Sequence, residues 1–98
     1  MSLPIVINPI AGEDLDEAQG YYESRRAGLG DDSVERVNET LARISYAPEL
    51  YAVVHKDLRQ APVHRFPCSV IYRADAAQVA VVAIHHTSRD PRSWLSRA

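Results

Sequence analysis

A chain of 98 residues, 46% apolar and 24% charged, has the size and balance of one soluble globular domain spanning 1–98. No apolar run approaches the ~20 residues that cross a bilayer, and the N-terminus lacks the basic-then-apolar order of an export leader. A membrane partner is therefore excluded and a cytoplasmic setting expected; the single Cys68 allows no intramolecular disulfide, and a net charge of −2 argues against direct binding of free nucleic acid.

Pro4–Ile7 is short and β-branched, and it predicts an edge strand with proline at its start. Asn8-Pro9 then signals a helix, with asparagine as N-cap and proline in the first helical position. Ala11, Leu15, Ala18 and Tyr22 follow as one apolar stripe, while Gly12 and Gly20 weaken the helix by about 1 kcal/mol each. Close approach of the sheet is the expected reason for Gly20. Gly28-Leu29-Gly30 breaks the pattern, and Asp31, Asp32 and Ser33 offer caps for a second helix with the stripe Val34, Val37, Leu41 and Ile44. Pro48 ends that helix by about Tyr46. The two helices form an αα-hairpin.

Pro48–Gln60 is mixed, with Leu50, Tyr51, Val53 and Val54 expected to tuck under the helices and His55-Lys56-Asp57 exposed. Pro62–Phe66 predicts a strand that turns at Pro67 into an antiparallel hairpin, Ser69–Arg73 and Gln78–His86, joined by Ala74–Ala77. Val79–Ile84 is apolar at every position, so both its faces are covered and it is the central strand. Asp90-Pro91 opens a last short helix, Arg92–Arg97, with Trp94 turned inward. The order β-α-α-β-β-β predicts an α+β fold: an antiparallel four-stranded sheet, the αα-hairpin on one face, a short C-terminal helix, and the other face partly open.

Charge is divided along the chain. Residues 1–49 hold four arginines against ten acids, a balance of −6; residues 50–98 hold seven basic residues against three acids, a balance of +4. A solvated helix surface beside an ordinary sheet is one reading; a basic sheet face that receives an acidic peptide or a phosphate backbone is the other. Arg65, Arg73, His85, His86 and Arg89 gather where the hairpin begins and ends, and that is where a working surface is expected.

The segments DLDEAQGYY, RRAGLGDDSVERVNETLARI, PELYAVVHKDLRQAPVHRFPCSVIYRAD and the valine strand closing in HHTSRDPRSW occur in an order that resembles the ParE/RelE toxin superfamily. The resemblance covers about Ile5 to Trp94 and is most specific at Arg65-Phe66-Pro67, at Ile71-Tyr72-Arg73 and at His86 with Arg89-Asp90-Pro91. It implies the toxin of a type II toxin–antitoxin pair, of the kind that stabilises plasmids or arrests growth, with a cognate antitoxin as partner. Members divide into mRNA endoribonucleases that enter the ribosome and inhibitors of DNA gyrase with no nuclease activity.

Metal-independent RNA cleavage needs a base, an acid and cations for the phosphate. The candidates for that alternative are Arg65, His86 and Arg89, but the paired lysines of some nuclease members are reduced to Lys56. Neighbouring histidines on a strand face opposite ways, so His85 and His86 cannot share a metal, and no zinc-type spacing occurs. Cys68 reads as a small core residue, Tyr22 and Tyr72 as core aromatics, and Trp94 as a cap on the sheet or a contact residue. The reading favoured here is the non-nuclease branch: a topoisomerase inhibitor without cofactor or metal. It would act through Arg65, Arg73, His85, His86, Arg89 and Trp94 and be covered by a disordered acidic antitoxin peptide. A ribosome-dependent nuclease, or an inactive member that only binds antitoxin, is the alternative.

Overall fold

The computed structural model describes residues 2–98. Its elements are β1 (Ile5–Ile7), α1 (Pro9–Arg25), α2 (Leu29–Tyr46), β2 (Val53–His55), β3 (Leu58–Pro62), β4 (Cys68–Ala74), β5 (Val79–His86) and α3 (Arg92–Leu95). The fold is α+β, as expected, but the sheet is five-stranded and mixed, in the order β1-β5-β4-β3-β2. β1 runs parallel to β5, with Ile5, Val6 and Ile7 opposite Val79, Ala80 and Val81. The apolar strand expected at the centre lies one place from the edge, and β4 is the middle strand. β5 is flanked by β4 and by β1, clipped by Val79 N–H to the Pro4 carbonyl and Asn8 N–H to that of Val81, with its two faces covered by the two apolar clusters.

The expected strand Pro62–Phe66 is instead Leu58–Pro62, preceded by the added edge strand β2. Pro62 has no N–H to continue a ladder, and Arg65 adopts φ 70, a left-handed turn conformation that no strand accommodates. Val63 N–H donates to the Cys68 carbonyl and closes the β3–β4 turn. Lys56, at φ 51, makes the corresponding turn between β2 and β3. Of the segment expected to tuck under the helices, Tyr51 packs against the main core, whereas Leu50, Val53 and Val54 lie exposed along the β2 edge.

Both helical stripes point at the sheet: Ala11, Val37, Leu41 and Ile44 join Val70, Tyr72, Val79, Val81 and Ile84 in the main core, with Leu15 packed alongside. Asn8 stands at the N-cap position of α1 but makes no side-chain cap bond. α2 begins earlier than its Asp31, Asp32 and Ser33 suggested. Gly28, at φ 87, turns the chain, and the Glu23 carboxylate of α1 accepts the Gly28 and Gly30 N–H groups at 3.0 Å each. The first turn of one helix is thus capped by the other. A Cβ on Gly20 would meet nothing within 4 Å, so no close approach explains that glycine; a Cβ on Gly30 would sit 2.6 Å from the Gln19 carbonyl oxygen.

The second face of the sheet carries a smaller cluster, Leu58, Ile71, Val82 and Ala83, closed by Trp94 of α3. A β-bulge makes it: Val81 faces Tyr72 and Ala83 faces Ile71, leaving Val82 as the extra residue. Val82 and Ala83 therefore both turn away from the helices, and Ile84 returns to the helical side. The described helices include none long and apolar enough to cross a membrane.

Candidate functional site

The bulge decides how β5 ends. By alternation beyond it, His86 emerges on the helical side beside Tyr21, with ring centroids 6.2 Å apart, and His85 on the other side against Trp94, at 6.1 Å. Between α1, the end of β5 and the C-terminal segment lies a cavity of about 190 Å³. His85, His86, Arg89, Trp94, Asp14 and Glu17 are among its lining residues.

Its charges are matched inside the chain. Arg97 donates to Asp14 at 2.6 Å, with both side chains largely covered, and also to the Val82 carbonyl at 3.1 Å. The same Asp14 carboxylate accepts the Ile84 N–H at 3.2 Å, so one residue of α1 holds β5 and the C-terminus together. Arg89 pairs with Glu17 at 3.2 Å, an exposed contact worth under about 1 kcal/mol. Two arginines and two carboxylates leave the lining without net charge while the histidines are neutral. The Ser88 N–H donates to Nδ1 of His86 (3.2 Å), which places the proton of the neutral ring on Nε2.

His85 is buried, and its pKa is lowered by desolvation first, then by His86 and Arg89, with Asp14 opposing. Its unfolded form therefore binds a proton at a pH where the folded form does not. Stability rises with pH through the region below the unfolded pKa of about 6.5 and is lost as pH falls through it. Denaturant midpoints measured between pH 7.5 and 5 are expected to fall, and to fall less in His85→Gln; equal slopes would remove His85 as the cause.

The remaining expected residues are divided by the fold. Arg65 sits at the same end of the sheet as His86, across Tyr22, in a second cleft with Arg26, Arg36, Phe66 and Pro67. Arg73 lies five residues along β4 from Cys68, the partner of His86, or roughly 17 Å away. It pairs there with Asp57 at 3.1 Å. Trp94 is 5% exposed and packs beneath the sheet, with its indole N–H unpartnered among the described residues. Burial pushes the Cys68 thiol up to about 11 and the Tyr22 phenol up to about 12, so both stay protonated. Among the described residues no three His, Cys, Asp or Glu side chains gather where a metal could sit. Asp14, Glu17, Arg97, Arg26 and Arg36 were not singled out from sequence; nothing local distinguishes them from other charges on exposed helix faces.

Among the solved structures that resemble this one, three at low sequence identity are the following. The first, from the chromosomal ParDE toxin–antitoxin system of P. aeruginosa, has a TM-score of 0.78 at 15% identity, covering 89% of this chain and 98% of that one. A mutant of the E. coli toxin RelE in the free state gives 0.73 at 12% identity, over 99% of this chain and 97% of its own. The YoeB–YefM complex from Staphylococcus aureus gives 0.57 at 16% identity, over 87% and 97%. No curated protein matches the chain. The family model described as the ParE toxin of the type II toxin–antitoxin system, parDE, matches residues 5–91. With the whole sheet and both long helices inside that match, the chain belongs to the ParE toxin family of type II toxin–antitoxin systems.

Proposed function

We propose that residues 1–98 form one toxin domain that acts in the cytoplasm by binding and inhibiting DNA gyrase or a related topoisomerase, and that a cognate antitoxin neutralises it. The observation that carries this reading is the charge of the cavity at the end of β5, where Asp14 and Glu17 match Arg97 and Arg89. A phosphodiester in that cavity would meet no surplus of positive charge, and transition-state stabilisation of a phosphoryl group depends on one. The acceptor nitrogen of His86 is engaged by Ser88, which also weighs against its use as a base. Surface contact with a protein target makes neither demand. The ParDE system named for the P. aeruginosa structure and the YoeB–YefM complex support a protein partner for this chain as well.

Two assays on the purified chain test it. With gyrase and supercoiled plasmid, the expected result is accumulation of cleaved DNA. With translating ribosomes, mRNA is expected to stay intact. Codon-phased cuts that vanish in His86→Ala, with no effect on gyrase, would replace the proposal by the nuclease reading that uses Arg65, His86 and Arg89.

A further inference from the structure

A second cleft lies where the αα-hairpin turns over the β3–β4 loop, and it differs in charge from the cavity at the end of β5. Arg26, Arg36 and Arg65 line it, with Asp32 as its one carboxylate, for a net +2. Arg36 also reaches Glu39 at 3.2 Å, but Arg26 and Arg65 have no carboxylate partner among the described residues. Arg65 is held by a left-handed backbone, and Arg26 stands at the C-cap of α1, so both are presented from turns. Tyr22 forms part of the wall. It is 6% exposed, and its hydroxyl has no hydrogen-bond partner among the described residues, a donor left over in a buried position. The rest of the wall is apolar: Leu29, Phe66 and Pro67.

We infer that this cleft is a docking site for an acidic peptide segment, whose carboxylate lies between Arg26 and Arg65 while an adjoining apolar side chain rests on Phe66 and Pro67. Guanidinium groups suit carboxylates by their forked donors. A peptide fits better than a nucleic acid strand. Half the wall is apolar, which suits the side chains of a peptide and not a continuous polyphosphate. The inference deepens the antitoxin reading above, on which the natural source of the peptide rests, by naming the part of the surface that takes it.

The test titrates the full chain, at low salt, against a fluorescein-labelled eight-residue peptide of alternating Glu and Leu, read by fluorescence anisotropy. Saturable binding is expected, weakened at least tenfold in the Arg26→Glu/Arg65→Glu double variant. Arg43→Glu, an exposed arginine further along α2, is expected to bind as the parent chain does, and a Gln–Leu peptide is expected not to bind. Circular dichroism of each variant separates lost binding from lost folding. Peptide binding indifferent to Arg26 and Arg65, no binding at all, or tighter binding of an eight-nucleotide uridine RNA with the same sensitivity would overturn the inference. The gyrase assay contains no peptide, so the inhibitor reading and this cleft can fail separately.

Discussion

Tyr72→Ala is expected to destabilise the protein by about 3–5 kcal/mol, a large share of the ~5–15 kcal/mol that holds a domain of this size. Tyr72 is fully buried at the centre of β4, facing Val81 across the hairpin and packed beneath the helices. Truncation removes the ring from the middle of the main core, where the surrounding strands cannot close over the space. Its hydroxyl also donates to the Pro48 carbonyl at 2.6 Å, tying the segment after α2 to the sheet. Tyr72→Phe isolates that bond and is expected to cost about 1–2 kcal/mol, since the carbonyl is left without its donor. Urea unfolding of the two variants checks both values. A Phe variant as unstable as the Ala variant would assign the effect to the hydrogen bond; two near-neutral variants would mean that Tyr72 does not sit in this core.

Gly30→Ala and Gly20→Ala are expected to move stability in opposite directions, although both glycines lie inside helices. At an unobstructed helical site the change gains about 1 kcal/mol, because glycine loses more backbone freedom on folding than alanine. Gly20 is such a site, with nothing within 4 Å of an added Cβ. At Gly30 the Cβ would lie 2.6 Å from the Gln19 carbonyl oxygen and 2.9 Å from the Glu23 carboxylate that caps α2. The backbone oxygen cannot step aside without parting the helices, so the expected result is a loss of about 1–3 kcal/mol. Thermal melts of the two single variants decide it. A stabilised Gly30→Ala would mean that α1 and α2 are farther apart at this point than the structure places them.

The elements legible in the sequence are those whose signals are local. The stripe through Ala11, Leu15, Ala18 and Tyr22, the one through Val34, Val37, Leu41 and Ile44 (of which Val34 is only half-buried), and the stop before Pro48 locate α1 and α2 closely. The polar break after Ala74 locates the β4–β5 turn, where Asp75 accepts the Ala77 and Gln78 N–H groups. β2 escaped notice because Val53–His55 is three residues long and exposed along the sheet edge, with no alternation to betray it. The region 62–67 misled because Val63 and Phe66 carry strand-like side chains, while the backbone there spends its hydrogen bonds on a turn.

The site was legible only as a list of residue types. His86 and Arg89 were found by their closeness in sequence to the end of β5, and Arg73 by its place in the same hairpin, yet the strand length carries Arg73 to the far end. The carboxylates that neutralise the cavity come from α1, with Asp14 lying 70 residues from Ile84 and 83 from Arg97. Contacts of that span have no local pattern, and they change an apparent basic patch into a matched one.

Apolar periodicity in the chain is enough to fix an α+β domain with two amphipathic helices and a valine-rich interior strand, because it dictates which faces must be buried; the toxin family was legible only as a resemblance of ordered motifs. That β1 joins β5 in parallel and that the single residue Val82 bulges from β5 emerge only once the strands are paired. Side chains on a strand alternate with period two, so one inserted residue exchanges the faces of everything beyond it. That exchange puts His86 beside Tyr21 and His85 under Trp94, and a hydrophobic run uniform at every position contains nothing to foretell it.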